Sequence, residues 1–147
     1  MDQSDVVLRR AGGDDLAFAR SLLSDNDLPT ADLGDGPARL FVCLAEGERV
    51  GVGGVEQYGA DALVRSVAVE PSARGEGVGT ALCDALEETA REDGVETLYL
   101  LTTTAAGFFA DRGYQGIERE AAPAAIQETT EFSSLCPDAA ACMRKQL

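Results

Sequence analysis

Two spacings of apolar residues alternate along the chain, and each change of spacing marks an element. Residues 6–10, apolar at Val6, Val7 and Leu8, predict a short strand. Leu16, Ala19, Leu22 and Leu23 recur at helical intervals, which predicts an amphipathic helix running to about Asn26, with Asp14 or Asp15 able to cap its start. Residues 27–33 read as a turn leading toward a second short helix, and 34–37 as a loop. Runs at 41–45 and 50–57, joined by Glu46-Gly47-Glu48, predict a hairpin, and residues 58–61 turn the chain into a third antiparallel strand, 62–69. Helical spacing returns from about Gly77 to Asp93. Val78, Leu82, Ala85, Leu86 and Thr89 form its buried stripe, Asp84, Glu87, Glu88 and Glu92 face water, and Gly94 ends it. The mostly apolar run 97–102 predicts a central strand, parallel to 62–69 because a helix connects them. A short helix at 105–112 capped by Thr103 or Thr104, a strand at 114–118, a helix within 121–132 starting near Pro123, and a closing strand at 139–147 complete the order.

Composition narrows this picture. With 147 residues, 45% of them hydrophobic, the chain suffices for a single domain, 1–147, with a real core. It has 26 acids against 12 bases, no histidine and a net charge of −14. A nucleic-acid-binding face would be basic, so no nucleic-acid partner is expected. The first five residues are polar and acidic, and the longest uncharged stretch, 97–110, is too short and too rich in threonine to cross a bilayer. Neither a signal peptide nor a membrane partner is therefore expected, and the expected location is cytoplasmic. Cys43, Cys83, Cys136 and Cys142 include no C-x-x-C pair, and without histidine no metal site is expected.

One stretch carries specific chemistry. The apolar run Leu63-Val64-Arg65-Ser66-Val67-Ala68-Val69 stops at Glu70-Pro71, and Arg74-Gly75-Glu76-Gly77-Val78-Gly79 follows at the start of a helix. That order builds a cradle of backbone N–H groups suited to a phosphate. The spacing is not the G-x-G-x-x-G of a dinucleotide turn, and the Walker pattern G-x-x-x-x-G-K-[ST] is absent. Val69-Glu70-Pro71 followed by Arg74-x-x-Gly77-x-Gly79 resembles the acetyl-CoA-binding signature of the GNAT N-acetyltransferases, and the element order over nearly the whole chain is also that family's. The resemblance implies a mixed α/β fold with antiparallel first strands and a parallel central pair splayed for coenzyme A. The segments 63–69, 98–104 with Phe108-Phe109 and Gly113-Tyr114, Ala122-Pro123 with Ala125-Ile126, Glu131-Phe132, Leu135-Cys136-Pro137 and Cys142-Met143 further resemble the arsenic-resistance (ArsN-type) N-acetyltransferases. That implies an acceptor that is an amino acid or an arsenic- or phosphorus-containing analogue of one.

The resemblance places acetyl-CoA, as co-substrate, on Val67, Ala68, Val69, Arg74, Gly75, Gly77, Val78, Gly79, Thr80, Thr102, Phe108 and Phe109, with an amide near Val67 polarising the thioester carbonyl. The amine attacks directly, through a tetrahedral intermediate. The family's usual asparagine and tyrosine positions hold Thr102 and Phe109, and a phenylalanine donates no proton to the leaving thiolate. Either that thiolate leaves unassisted or another donor serves; Tyr58, Tyr99 and Tyr114 are the tyrosines, with Tyr114 placed for packing and Tyr58 the remaining catalytic candidate. Glu56 is the candidate base, directly or through water, or else a solvated hairpin acid. Arg65 stands in an apolar strand and must reach solvent, a carboxylate neighbour or the anionic group of the acceptor. Asp27 and Thr30 are candidate acceptor contacts, or helix caps. Cys136 and Cys142 offer soft ligands for trivalent arsenic, or are core residues. The partner is thus a small-molecule amine, and the resemblance adds a homodimer through C-terminal strands. A non-catalytic module sensing acetyl-CoA or arsenic is the alternative.

Lys145 is the only lysine beside eleven arginines on this acidic surface. Molar salt screens the self-repulsion of such a charge, which points to a halophilic origin. Thermal melting should therefore rise clearly between low and molar salt; equal melting temperatures would overturn that origin.

Overall fold

The structure is a computed structural model and describes residues 6–26, 39–71, 77–102, 105–128 and 141–147. In chain order these are β1 (Val7–Arg10), α1 (Gly13–Asp25), β2 (Arg39–Ala45), β3 (Glu48–Tyr58), β4 (Asp61–Val69), α2 (Val78–Glu92), β5 (Thr97–Thr102), α3 (Ala106–Asp111), β6 (Gln115–Ile117), α4 (Ala124–Gln127) and β7 (Ala141–Gln146). A 3₁₀ turn, Arg119–Ala121, precedes α4. Among the described residues the strands form one sheet in the order β1-β2-β3-β4-β5-β7-β6. The first four strands are antiparallel neighbours. β5 runs parallel to β4 and is flanked by β7 on its other side, so it is central as its apolar sequence predicts.

Helices cover both faces of the sheet. Val78, Leu82, Leu86 and Ala90 of α2, with Phe109 of α3, pack on Val55, Val64, Leu100 and Met143. On the opposite face Ala19, Leu22 and Leu23 of α1 pack on Leu40, Val52 and Ala68. Ile126 of α4, with Ala122, packs there on Leu63, Tyr99 and Cys142. α2 comes close to β3 because two glycines remove the side chains between them. A Cβ on Gly53 would lie 2.6 Å from Leu86 Cδ1, and one on Gly51 would lie 2.8 Å from the Ala68 carbonyl oxygen.

Several details differ from the expectation: in the α2 stripe Ala85 and Thr89 are half-buried while Ala81, Cys83 and Ala90 are buried, and the residue that caps α3 is Ala105 rather than Thr103 or Thr104. The cap of α1 is Gly12, not an aspartate. Asp15 acts one turn in: its Oδ2 accepts the Gly12 N–H at 2.8 Å, while its Oδ1 accepts Arg9 Nη2 at 2.9 Å and Arg49 Nε at 2.8 Å. The Gly12 bond first, and the two arginines after it, hold this buried carboxyl below the usual carboxylate range. The helix expected over 121–132 is, among the described residues, the single turn Ala124–Gln127. Glu87 does not face water. It is 6% exposed and accepts Arg112 Nη2 at 2.9 Å and Lys145 Nζ at 2.7 Å, because the turn after α3 and the strand β7 bring two cations over that side of α2.

A methyl at position 51 meets backbone that cannot swing aside. Gly51→Ala should destabilise the fold by about 1–3 kcal/mol, seen as a lower urea midpoint at unchanged slope.

Candidate active site

The sheet opens at one place. β4 and β5 pair at Asp61↔Thr97, Ala62↔Leu98 and Leu63↔Tyr99, and there the pairing stops. Each strand stays held on its outer side, β4 by β3 as far as Gly51↔Val69 and β5 by β7 as far as Thr102↔Ala141. Beyond Leu63↔Tyr99 no further β4–β5 pair forms among the described residues, so the facing edges of the two strands part into a gap.

A bulge sits on the β4 side of that gap. Val52 pairs with Ala68 and Gly54 with Arg65, so Ser66 and Val67 together stand opposite the single Gly53. Ser66 takes the left-handed conformation, φ 58°. This is a bulge geometry in which glycine is the usual occupant. The sequence carries one visible sign of it, the two adjacent polar residues Arg65-Ser66 inside an apolar run.

The N-terminus of α2 closes one end of the gap. Gly77 caps it at φ 83°, a conformation open to glycine at little cost. The first helical bond there runs from the Ala81 N–H to the Gly77 carbonyl, 3.0 Å, so the amides of Val78, Gly79 and Thr80 have no acceptor within the helix. A Cβ on Gly79 would lie 3.9 Å from both Val69 Cγ2 and Phe108 Cζ. The end of β4, the start of α2 and α3 therefore converge at Gly79. Phe108 is 38% exposed, the more exposed of the two large apolar side chains beside this cradle, whereas Phe109 is buried edge-on against Phe108 and Tyr114. Thr102 Oγ1 accepts the Ala105 N–H at 3.0 Å, which ties the end of β5 to the start of α3. Arrayed amides, an absent side chain at Gly77 and Gly79, and an apolar wall fit the pyrophosphate and pantetheine of a coenzyme A thioester. Arg74 and Gly75 of the expected cradle lie outside the described residues.

Three predicted site residues meet on the other face, at the rung where the gap begins. Glu56 lies opposite Leu63, itself the last β4 residue paired to β5. Arg65 Nη1 donates to Glu56 Oε1 at 2.7 Å, and both side chains are at most 3% exposed. Tyr58 Oη donates to Glu56 Oε2 at 2.8 Å. Arg65 Nε donates to Ser66 Oγ at 3.3 Å. Burial, and then the neighbouring Glu56 carboxylate, push the Tyr58 phenol up to about 12, so at neutral pH it stays a donor. Of the alternatives open for Arg65, the carboxylate neighbour is present; Glu56 is not a solvated hairpin acid. Asp27 and Thr30 lie outside the described residues. Burial pushes the Cys43 and Cys83 thiols up to about 11 and raises that of Cys142. None of the three is a ready thiolate, and Cys136 lies outside the described residues.

A family model for the acetyltransferase (GNAT) domain matches residues 36–116. An uncharacterized N-acetyltransferase of Chlorobaculum tepidum is 33% identical over 103 residues, covering 69% of this chain and 64% of that protein. The amino-acid acetyltransferase of Pseudomonas aeruginosa is 44% identical over 66 residues, 45% of this chain and 15% of that protein. The chain thus spans less than two thirds of these curated relatives. N-acetylglutamate synthase from Neisseria gonorrhoeae, solved with coenzyme A and N-acetyl-glutamate, superposes with a TM-score of 0.80 at 18% identity over 97% of this chain and 35% of that one, which is a likeness of fold.

Removing one member of a buried ion pair strands the other. Arg65→Met, which leaves Glu56 without its cation, should cost about 3–5 kcal/mol in chemical denaturation.

Proposed function

The chain belongs to the GNAT acetyltransferase family, and on that premise we propose that it transfers the acetyl group of acetyl-CoA to the amine of a small molecule, an amino acid or an amino-acid analogue. The observation that carries this reading is the opening between β4 and β5, with the first-turn amides of α2, which have no acceptor within the helix, at its end. A relative named as an amino-acid acetyltransferase, and a fold neighbour solved with N-acetyl-glutamate, support an amino acid as the acceptor class. The ArsN-type resemblance narrows it further, to analogues bearing arsenic or phosphorus. The acidic, lysine-poor surface supports work in a salt-rich cytoplasm without a nucleic-acid partner, and the resemblance adds a homodimer.

Acetyl-CoA supplies an activated thioester. The amides of Val78, Gly79 and Thr80, with Gly77, Gly75 and Arg74, hold its pyrophosphate. Val67, Ala68 and Val69 offer backbone along one side of the gap, and Thr102, Phe108 and Phe109 form the other wall. The Val67 amide polarises the thioester carbonyl, a role that needs a donor already in place. Arg65 holds the acceptor's anionic group, Asp27 and Thr30 serve as further acceptor contacts, and Glu56 takes the ammonium proton through water. The coenzyme thiolate leaves unassisted: Phe109 has no proton to give, and the proton of Tyr58 is committed to Glu56.

The test is release of free thiol from acetyl-CoA with a panel of amino acids and phosphorus-containing analogues. Thiol release with at least one amine, and acetylation of that amine by mass spectrometry, is the expected result. Coenzyme binding without release on any amine would instead favour the sensing module. Gly77→Glu sets a side chain and a negative charge into a left-handed cap, so coenzyme affinity should fall by at least about tenfold in a protein that still folds.

A further inference from the structure

We propose that the buried Glu56–Arg65 pair, bracketed by Ser66, is a register pin: it fixes which residue of β4 is the extra one, and so fixes which backbone amide borders the gap. The functional half of this rests on the reading of Val67 as the thioester's donor; the structural half does not.

The bulge decides which way β4 faces. Val64, Val67 and Val69 all pack toward α2, although 64 and 67 are an odd number of residues apart. Leu63 and Ala68 pack toward the opposite face. Period-two alternation therefore holds on either side of Ser66 and slips by one residue at it. Yet the residues around it, Ala62-Leu63-Val64 and Val67-Ala68-Val69, are apolar throughout and suit either face. A strand without alternation specifies its register weakly, and a one-residue slip turns every side chain over.

The two polar residues supply what the apolar ones lack. If the extra residue lay N-terminal to Arg65, the guanidinium would point into the layer of Val55, Leu82 and Leu86 and would leave Glu56 buried without its cation. If it lay one step C-terminal, the Ser66 hydroxyl would enter that layer. Only with the bulge at Ser66 does Arg65 reach both Glu56 Oε1, at 2.7 Å, and Ser66 Oγ, at 3.3 Å. Tyr58 completes the arrangement by fixing the second carboxylate oxygen. The placement is local to the opening: Glu56 opposes the last rung of the β4–β5 pair, and Arg65 is the second residue past it. A buried ion pair is a weak source of stability relative to apolar residues of like size, and its best-attested use is setting register. Glu56 and Arg65 are on this view positioning residues for the Val67 amide, whatever else they contact.

The decisive variant removes both charges. Glu56→Leu combined with Arg65→Leu should melt at the native temperature or above it. Its NMR spectra should nevertheless lose the single native set of β3–β4 cross-strand contacts, Gly54 with residue 65 and Val52 with Ala68, in favour of a slipped or doubled set. Bound [1-13C]acetyl-CoA should lose the downfield carbonyl shift that it shows on the native protein. A merely structural role predicts a fall in stability with register unchanged. A single native contact set in the double variant overturns the pin. Should the leucine pair not fold, Glu56→Gln with Arg65→Gln serves, since neutral amides cross to the other face at smaller cost than a guanidinium. Glu56→Gln alone still accepts from Arg65, and should keep the native contacts and the carbonyl shift. If it also keeps full acetyl transfer, the base assignment fails while the pin stands. If the native protein binds no acetyl-CoA, the donor reading fails, and the contact sets still decide the pin.

Discussion

A parallel strand pair that holds for three rungs and then parts is the constraint around which this molecule is arranged. Backbone N–H and C=O groups in a sheet interior are ordinarily satisfied by the neighbouring strand. Here the two inner edges beyond Leu63↔Tyr99 are released in the middle of the sheet, where both strands are still anchored from outside. An opening of this kind survives only if its walls cannot close on each other. α2 packed tightly on the glycines of β3 steadies one wall, and the antiparallel partner β7 steadies the other.

Buried charge appears where elements must be held at fixed angles. Asp15 ties the start of α1 to β1 and β3 through Arg9 and Arg49. Glu87 ties α2 to the end of α3 and to β7 through Arg112 and Lys145. Glu56 ties β3 to β4 through Arg65. In each case a carboxylate that is no more than 8% exposed is met by at least one guanidinium, the cation whose planar fork suits such pairing. A chain with 26 acids and 12 bases spends many of its scarce cations on these joints.

Much of this was legible before any coordinates. Helix and strand periods differ enough that α1, α2 and the β2–β3–β4 meander follow from spacing alone, and Gly77 marks the left-handed start of α2. What was illegible has physical reasons. The bulge at Ser66 leaves no periodic trace, since the residues on either side of it are apolar on both faces, and the polar pair Arg65-Ser66 marks the place without giving the slip of phase. Glu87 falls on the polar side of its own helix by spacing, and only β7 and the turn after α3, distant in sequence, cover it. Spacing favours an aspartate in the cap of α1 itself because side-chain capping is the common case; Gly12 takes that place and leaves Asp15 to receive its N–H from within the first turn.

The near absence of lysine has a chemical side as well as an electrostatic one. An activated acetyl thioester acylates amines, and guanidinium groups resist that reaction. Eleven of the twelve cationic side chains here are arginines, and the Nζ of the remaining one, Lys145, lies 2.7 Å from Glu87 Oε1 and over the face of Tyr114. A protein so composed presents positive charge almost without side-chain amines, the groups that the donor it is proposed to hold would acetylate.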